Sequence, residues 1–196
     1  MAILGDSFFA STHQISANLE ALARSEGALA NDAHYLDESN LAANSLSIPA
    51  NGIASQYATA TAAGEVKVLI MNGGGADILL GSCDTVDTSC PLLVSAAAAA
   101  RDLLSKMAQD GVLQVVYVFY PDPVDGNVLA KIDALRPLIK SACDDSPVPC
   151  HWLDLRSTFA GHPDYIADDG LNPSTLGSRA SAAAIWSTMQ QYCIAQ

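Results

Sequence analysis

The chain has 196 residues, of which half are apolar and only 15% are charged. That composition is typical of a packed globular protein and excludes a disordered one. The formal net charge is −12 with only 9 Lys and Arg residues, so the surface repels phosphate backbones and anionic membranes, and we expect no nucleic-acid partner. No apolar run approaches the roughly 18 residues needed to cross a bilayer.

Strand-like and helix-like patterns alternate along the chain. The apolar runs predict strands at residues 2–4, 34–36, 66–71, 113–119 and 150–154, and helical spacing of apolar residues predicts helices at 15–24, 53–63, 91–110, 128–139 and 174–192. The strongest strands are apolar on both faces, as buried parallel strands are. We therefore expect one α/β domain over residues 1–196, with a parallel sheet covered by helices on both faces. Ligands on such sheets bind at the carboxyl ends of the strands.

Four of the five cysteines form two closely spaced pairs. Cys83 and Cys90, like Cys143 and Cys150, each bracket a six-residue polar loop, which favours two local disulfides, and Cys193 is left over. Neither pair has the two-residue spacing of a zinc site, so we expect no metal. Disulfides indicate an oxidising compartment, secreted or periplasmic. The chain opens almost directly on a strand, so we expect it to be a mature form that lacks its leader.

The first predicted strand ends in Gly5-Asp6-Ser7. A glycine lets the chain turn sharply as it leaves the sheet, and the serine then lies near a helix N-terminus, where free amides favour a developing oxyanion. Phe8 and Phe9 follow directly; we expect one of them to pack in the core, and the other could form the wall of an acyl pocket. The tripeptide by itself is common, but its place straight after the first strand favours a nucleophilic serine.

This tripeptide resembles the N-terminal block of the SGNH (GDSL) ester hydrolases, and three further segments follow that family's order. Gly52, after Asn51, resembles the second block; the segment from Asn72 to Asp77 lies where the family has Gly-x-Asn-Asp; and residues 169–173 resemble the fifth block, Asp-x-x-His. The resemblance therefore covers nearly the whole chain. It implies a three-layer α/β/α sandwich around a five-stranded parallel sheet in flavodoxin-like order.

The resemblance also implies the chemistry. Ser7 would attack an ester or acyl carbonyl, a histidine three residues after Asp169 would accept its proton, and Asp169 would orient the imidazole. The oxyanion would be bound by the backbone amides of Ser7 and Gly52 and by an asparagine side chain. No cofactor is implied, the partner is a small ester or acylated substrate, and no residue indicates a particular substrate or an oligomeric state.

Two positions depart from the family pattern. Asn172 stands where the histidine is expected, and an amide has no basic nitrogen near neutral pH. Three interpretations stay open: an engineered replacement, a native residue with another group as base, or a native protein that has lost catalysis. In the third block, Ala76 falls where the oxyanion asparagine is expected when Asp77 is aligned on the family aspartate. Asn72 could reach the same site if the glycine run folds back.

Among the four histidines, His162 is the best candidate for an alternative base, because it lies in the same loop, seven residues before Asp169. An exposed loop histidine is the simpler interpretation, and His13, His34 and His151 are interpreted as structural or exposed. We therefore expect a secreted serine ester hydrolase, impaired in this form by Asn172. The alternative is a catalytically inactive protein of the same fold that binds an acyl or glycan ligand.

Overall fold

The computed structural model describes residues 1–42 and 44–194, and a single sheet of five strands lies at its centre. The strands are β1 (Ala2–Leu4), β2 (Leu36–Asp37), β3 (Val68–Met71), β4 (Gln114–Phe119) and β5 (Cys150–Asp154). All neighbours pair in parallel in the order β2-β1-β3-β4-β5. This is the flavodoxin-like order that the family resemblance implies, so the expected fold class is confirmed.

Eight α-helices connect and cover the strands in the described part of the chain. They are α1 (Ser7–Ala10), α2 (Gln14–Ser25), α3 (Ile53–Ala63), α4 (Gly75–Leu80), α5 (Pro91–Gln109), α6 (Gly126–Asp144), α7 (Arg156–Phe159) and α8 (Thr175–Gln191), with short 3-10 helices at Pro49–Asn51 and Pro163–Tyr165. The chain runs from β1 to β2 in one direction and from β3 to β5 in the other. Right-handed connections therefore place α2 on one face and α5 and α6 on the other. α8 packs against α2, and α5 packs against α6.

The central strands form because their side chains are apolar on both faces and can be buried between the two helical layers. Leu69, Ile70 and Met71 of β3 are at most 1% exposed, and Val115 to Phe119 of β4 are equally buried. The helices end where the sequence supplies a stop: α3 ends at Gly64, and α5 ends before Asp110 and Gly111. Asp125 begins α6 by accepting hydrogen bonds from the amides of the next helical residues.

The long helices and the central strands lie where the sequence predicts them, with ends that differ by up to five residues. The weak strand expected at 34–36 is displaced to Leu36–Asp37, so His34 lies outside the sheet. His13 lies just before α2 with a φ of 53°. The short helix α4 begins at the last glycine of the run and is not among the predicted helices.

Both predicted disulfides are present, Cys83–Cys90 and Cys143–Cys150, and Cys193 is a free, exposed cysteine. The first closes the loop that leads into α5, and the second joins the end of α6 to the start of β5. In the described residues, no helix is long and apolar enough to cross a membrane. Within the same residues, no cluster of three or more His, Cys, Asp or Glu side chains could hold a metal ion.

Candidate active site

The turn after β1 presents Ser7 at the first position of α1. Asp6 caps this short helix, because its Oδ1 accepts a hydrogen bond from the Phe8 amide at 3.1 Å. Ser7 is half-buried, and its hydroxyl has no hydrogen-bond partner among residues 1–42 and 44–194. The first amides of a helix also lack partners within it, so the Ser7 backbone N–H is available to an acceptor. The predicted nucleophile is thus a serine with a free hydroxyl and a free amide.

Gly5 is required by the close approach of neighbouring chains at this turn. A Cβ at Gly5 would lie 2.1 Å from Asn72 Oδ1, which no side chain could tolerate. The Gln56 amide of α3 binds the Gly5 backbone on both sides: its Oε1 accepts from Gly5 N at 2.7 Å, and its Nε2 donates to Gly5 O at 2.8 Å. These bonds fix α3 against the turn that carries Ser7.

Gly52 lies immediately before α3, one helical turn from Gln56. It is buried, and a Cβ there would meet the carbonyl oxygens of Ser45 at 2.1 Å and Ile48 at 2.4 Å. The packing of this loop therefore requires a glycine. Because Gln56 holds α3 to Gly5, Gly52 lies at the end of the helix that adjoins the serine turn.

The Asn72 side chain faces Asp6. Its Oδ1 accepts a hydrogen bond from Asp6 N at 3.0 Å, and its Nδ2 donates to Asp6 Oδ1 at 2.9 Å. Asn72 is fully buried, with 0% exposure, and is not among the residues that line the pocket beside Ser7. The glycine run therefore does not turn this amide outward; the two bonds join the carboxyl ends of β1 and β3.

Asp77, aligned on the family aspartate, holds a neighbouring loop. Its carboxylate accepts hydrogen bonds from the Ser45 hydroxyl at 2.7 Å, from Leu46 N at 2.8 Å and from the amide and hydroxyl of Ser47. Asp77 is buried in α4 and does not face the pocket. Ala76 precedes it, so the position expected for an oxyanion asparagine carries no polar side chain.

Asp6 is the centre of a buried polar network. Its Oδ2 accepts a hydrogen bond from the Tyr120 hydroxyl, which in turn accepts one from Gly75 N at 2.9 Å. Burial raises the pKa of Asp6 above its ordinary value, although hydrogen bonds from Tyr120, Phe8 and Asn72 partly oppose this. Burial and the nearby Asp6 also raise the pKa of Tyr120 well above 10. The network links the ends of β1 and β4 to the start of α4.

Asp169 holds Asn172 through two hydrogen bonds within one loop. Asp169 Oδ1 accepts from the Asn172 backbone amide at 2.8 Å, and Oδ2 accepts from Asn172 Nδ2 at 2.7 Å. Burial alone would raise the pKa of Asp169, but the amides of Asn172 and Leu171 and the Asn172 side chain lower it below its ordinary value. Nδ2 of asparagine and Nδ1 of histidine are both bonded to Cγ, so Asp169 binds this side chain at the atom where it would hold an imidazole.

Ser7 and Asn172 line the same pocket. The cavity between its walls measures about 40 Å³, within a wider space of about 400 Å³ that includes open solvent. Other polar groups in its wall are Asp6, Tyr120 and Gly75, and most of the remaining lining is apolar. The structure therefore brings the predicted nucleophile and the position of the family base together at the carboxyl edge of the sheet. Gly52 and Asn72 do not line this pocket.

All four histidines are in the described part of the chain, and none lines the pocket. His162 stacks on Tyr165 with ring centroids 4.3 Å apart, in a neighbouring groove. His13 contacts Asp37 through Nδ1, and His34 contacts Glu20 through Nδ1. His151 contacts Gln114 through Nε2. The structure thus places His162, our candidate for an alternative base, outside the serine pocket.

Sequence reasoning missed several walls of the pocket. The α4 side chains Ile78 and Leu79 and the α6 side chains Val128 and Ile132 were not singled out. Both phenylalanines are buried in the core, Phe9 at 1% and Phe8 at 3% exposure, so the packing expected for one of them holds for both. Phe8 also lines the pocket, with its ring 5.9 Å from that of Tyr120. The signal for α6 was its apolar spacing, but only the fold shows which turn of the helix faces Ser7.

No protein-family model matches the chain, and no curated protein matches it. Solved structures match over nearly its whole length. A protein from Slackia heliotrinireducens assigned to the SGNH hydrolases has a TM-score of 0.70 and 17% identity, covering 96% of this chain and 97% of that one. TesA has a TM-score of 0.71 and 16% identity, covering 97% of each.

A third match is a family 3 carbohydrate esterase from Clostridium thermocellum. Its TM-score is 0.70 at 15% identity, covering 97% of this chain and 94% of that one. Identities this low show the fold alone. The sheet order, the covering helices and the agreement along almost the full length of these proteins show that the chain has the fold of the SGNH hydrolases.

Proposed function

We propose that the chain is an SGNH-type serine ester hydrolase in which Asn172 stands at the position of the general base and impairs turnover. The observation that carries the proposal is the arrangement of one pocket. Ser7, with an unbonded hydroxyl, and Asn172, bound to Asp169, line it together. The two local disulfides support an extracellular or periplasmic location for the protein.

In this reaction, Ser7 Oγ attacks the acyl carbonyl carbon of an ester. The free Ser7 amide is the backbone donor in this pocket for the oxyanion that forms; Gly52, the second donor that the family pattern offers, does not line the pocket. The Ser7 proton needs an acceptor, and the Asn172 amide has no basic nitrogen to take it. Attack by the neutral hydroxyl is slow, so the chain binds ester more effectively than it cleaves it. Asp169 is already placed to orient an imidazole.

The Asn172→His variant tests the proposal with p-nitrophenyl acetate and butyrate. We expect a clear gain in ester cleavage, and labelling by a serine-directed phosphonate at Ser7. Asn31→His is the matched control, because Asn31 is exposed and distant in the fold, and it should leave activity at the parent level. The proposal fails if folded Asn172→His protein neither cleaves these esters nor takes the label.

The second candidate is a non-catalytic protein that binds an acyl or glycan ligand. It is favoured by the absence of any histidine from the pocket wall. It predicts saturable ligand binding with no turnover by either the parent chain or the Asn172→His variant. Multiple turnover by the unaltered chain would exclude it.

A further inference from the structure

The walls of the pocket beside Ser7 come from four separate parts of the fold and are apolar. They are formed by the side chains Phe8, Ile78, Leu79, Val128, Ile132 and Leu171. α4 and α6 are held together here, because Lys131 Nζ donates hydrogen bonds to the carbonyl oxygens of Ile78 at 3.0 Å and Gly81 at 2.9 Å. The apolar wall formed by α4 and α6 is therefore a fixed feature of the fold.

Most polar side chains in the wall already have hydrogen-bond partners within the protein. Asp6 accepts from Tyr120, and the Asn172 nitrogen donates to Asp169. A sugar ring in this pocket would lose its hydrogen bonds to water and find few replacements, which costs binding free energy. An aliphatic chain loses no hydrogen bonds on entering and gains from burial.

The charges around the pocket favour an uncharged ligand. No Lys or Arg lines it among the described residues, and the amino group of Lys131 is held by backbone carbonyls. The whole chain carries a net charge of −12. A ligand with a carboxylate or phosphate at the end of its chain would meet no counter-charge there and would be repelled at long range.

Exposed apolar residues directly follow two lining residues in the chain. Leu79 of the wall is 48% exposed, and Leu80 and Val124, next in sequence to Leu79 and Pro123, are both 76% exposed. The backbone of Val124 is fixed to the loop carrying Asn172, because Val124 N donates to Gly170 O at 3.0 Å. Exposed apolar groups that adjoin an apolar pocket extend the surface that a long aliphatic group can cover.

From these features we infer that the pocket holds the acyl part of the substrate, as a linear, uncharged aliphatic chain longer than acetyl. The inference rests on the proposed function, and it names the substrate class of that site. Val128 and Ile132, one turn apart on α6, then determine how long a chain is accepted. The alcohol part of the ester lies towards solvent.

The test compares p-nitrophenyl acetate, butyrate and octanoate as substrates of the Asn172→His protein. We expect kcat/KM for octanoate to exceed that for acetate by about 10- to 100-fold, since each fully buried methylene contributes roughly fourfold and part of the pocket is open. Val128→Phe in the same background should reduce the octanoate-to-acetate ratio by about tenfold or more by filling the pocket. Val94→Phe, at an exposed valine of α5, should leave the ratio unchanged.

Each other outcome overturns a definite statement. An acetate preference, or a ratio that Val128→Phe does not alter, overturns the acyl-chain inference while leaving the hydrolase proposal standing. Chain-length selection seen with octyl acetate but not with octanoate esters shows that the pocket binds the alcohol part instead. If no ester is cleaved, binding of methyl octanoate to the unaltered chain separates the two proposals. Saturable binding that Val128→Phe weakens keeps the pocket as a site for an aliphatic chain and ends the hydrolase proposal. The absence of binding ends both proposals.

Discussion

The Asn72 side chain offers a sharp test of whether a residue stabilises the site or acts in it. The change Asn72→Ala removes both hydrogen bonds to Asp6. The Asp6 amide is then left buried without an acceptor, which costs about 1–3 kcal/mol, and the lost bond to the Asp6 carboxylate costs about 1.5–3 kcal/mol. Because Asp6 Oδ1 keeps its bond from Phe8 N, we expect the lower part of the summed range, about 3–4 kcal/mol.

Urea unfolding at neutral pH, followed by circular dichroism, measures this change in the free energy of unfolding. Asn127→Ala is the control, since Asn127 is exposed at the start of α6, and it should alter stability by less than about 0.5 kcal/mol. If Asn72 instead served the oxyanion, Asn72→Ala in the Asn172→His background would lower kcat by about 10²–10³. A loss of stability below about 1 kcal/mol would refute the structural role.

Three further predictions concern protons and disulfides. Because the pKa of Asp6 is raised, the folded state binds the Asp6 proton more tightly than the unfolded state does. The free energy of unfolding therefore falls as pH rises from the unfolded-state pKa of 3.8 through the raised folded-state pKa. Asp6→Asn should flatten that part of the plot of urea midpoint against pH, and an unchanged plot would contradict the raised pKa. In the Asn172→His protein, kcat/KM should rise with pH through an imidazole pKa of about 6.5. A kcat/KM that does not change with pH would exclude imidazole as the base. Replacing Cys143 and Cys150 by serine opens a loop of sequence separation 7. This change should lower the free energy of unfolding, measured by urea unfolding, by about 2–3 kcal/mol. Equal stability of the unaltered chain with and without reductant would contradict this prediction.

The strands and long helices could be predicted because their apolar patterns are long and their ends carry glycine or proline. α3 and β5 have the predicted bounds, and α5 begins at Pro91 as expected. α4 could not be predicted, because it is only six residues long and begins within a run of three glycines, which is typical of a turn. Its stability comes from packing against α5 and α6 and not from local propensity.

In the candidate site, too, some features follow from the sequence and others do not. The joint position of Ser7 and residue 172 follows from the sheet edge, because the loop before the last helix and the turn after the first strand both lie at the carboxyl ends of the strands. The direction of the Asn72 amide does not follow from the sequence. It depends on the missing Cβ at Gly5, whose place Asn72 Oδ1 takes, and on the two hydrogen bonds to Asp6. The sequence separation of seven between His162 and Asp169 likewise says nothing about their distance in space, because His162 stacks on Tyr165 outside the serine pocket.

The loop that carries Asn172 keeps its shape through bonds that do not need an asparagine. Ala167 N donates to Asn172 O at 2.8 Å, and Leu171 N donates to Asp169 Oδ1 at 2.9 Å. The codons for asparagine and histidine differ by one nucleotide. A single point mutation can therefore exchange a neutral amide for a titratable ring on a backbone that stays unchanged, and a library of all residues at this position would compare chemistries at constant geometry.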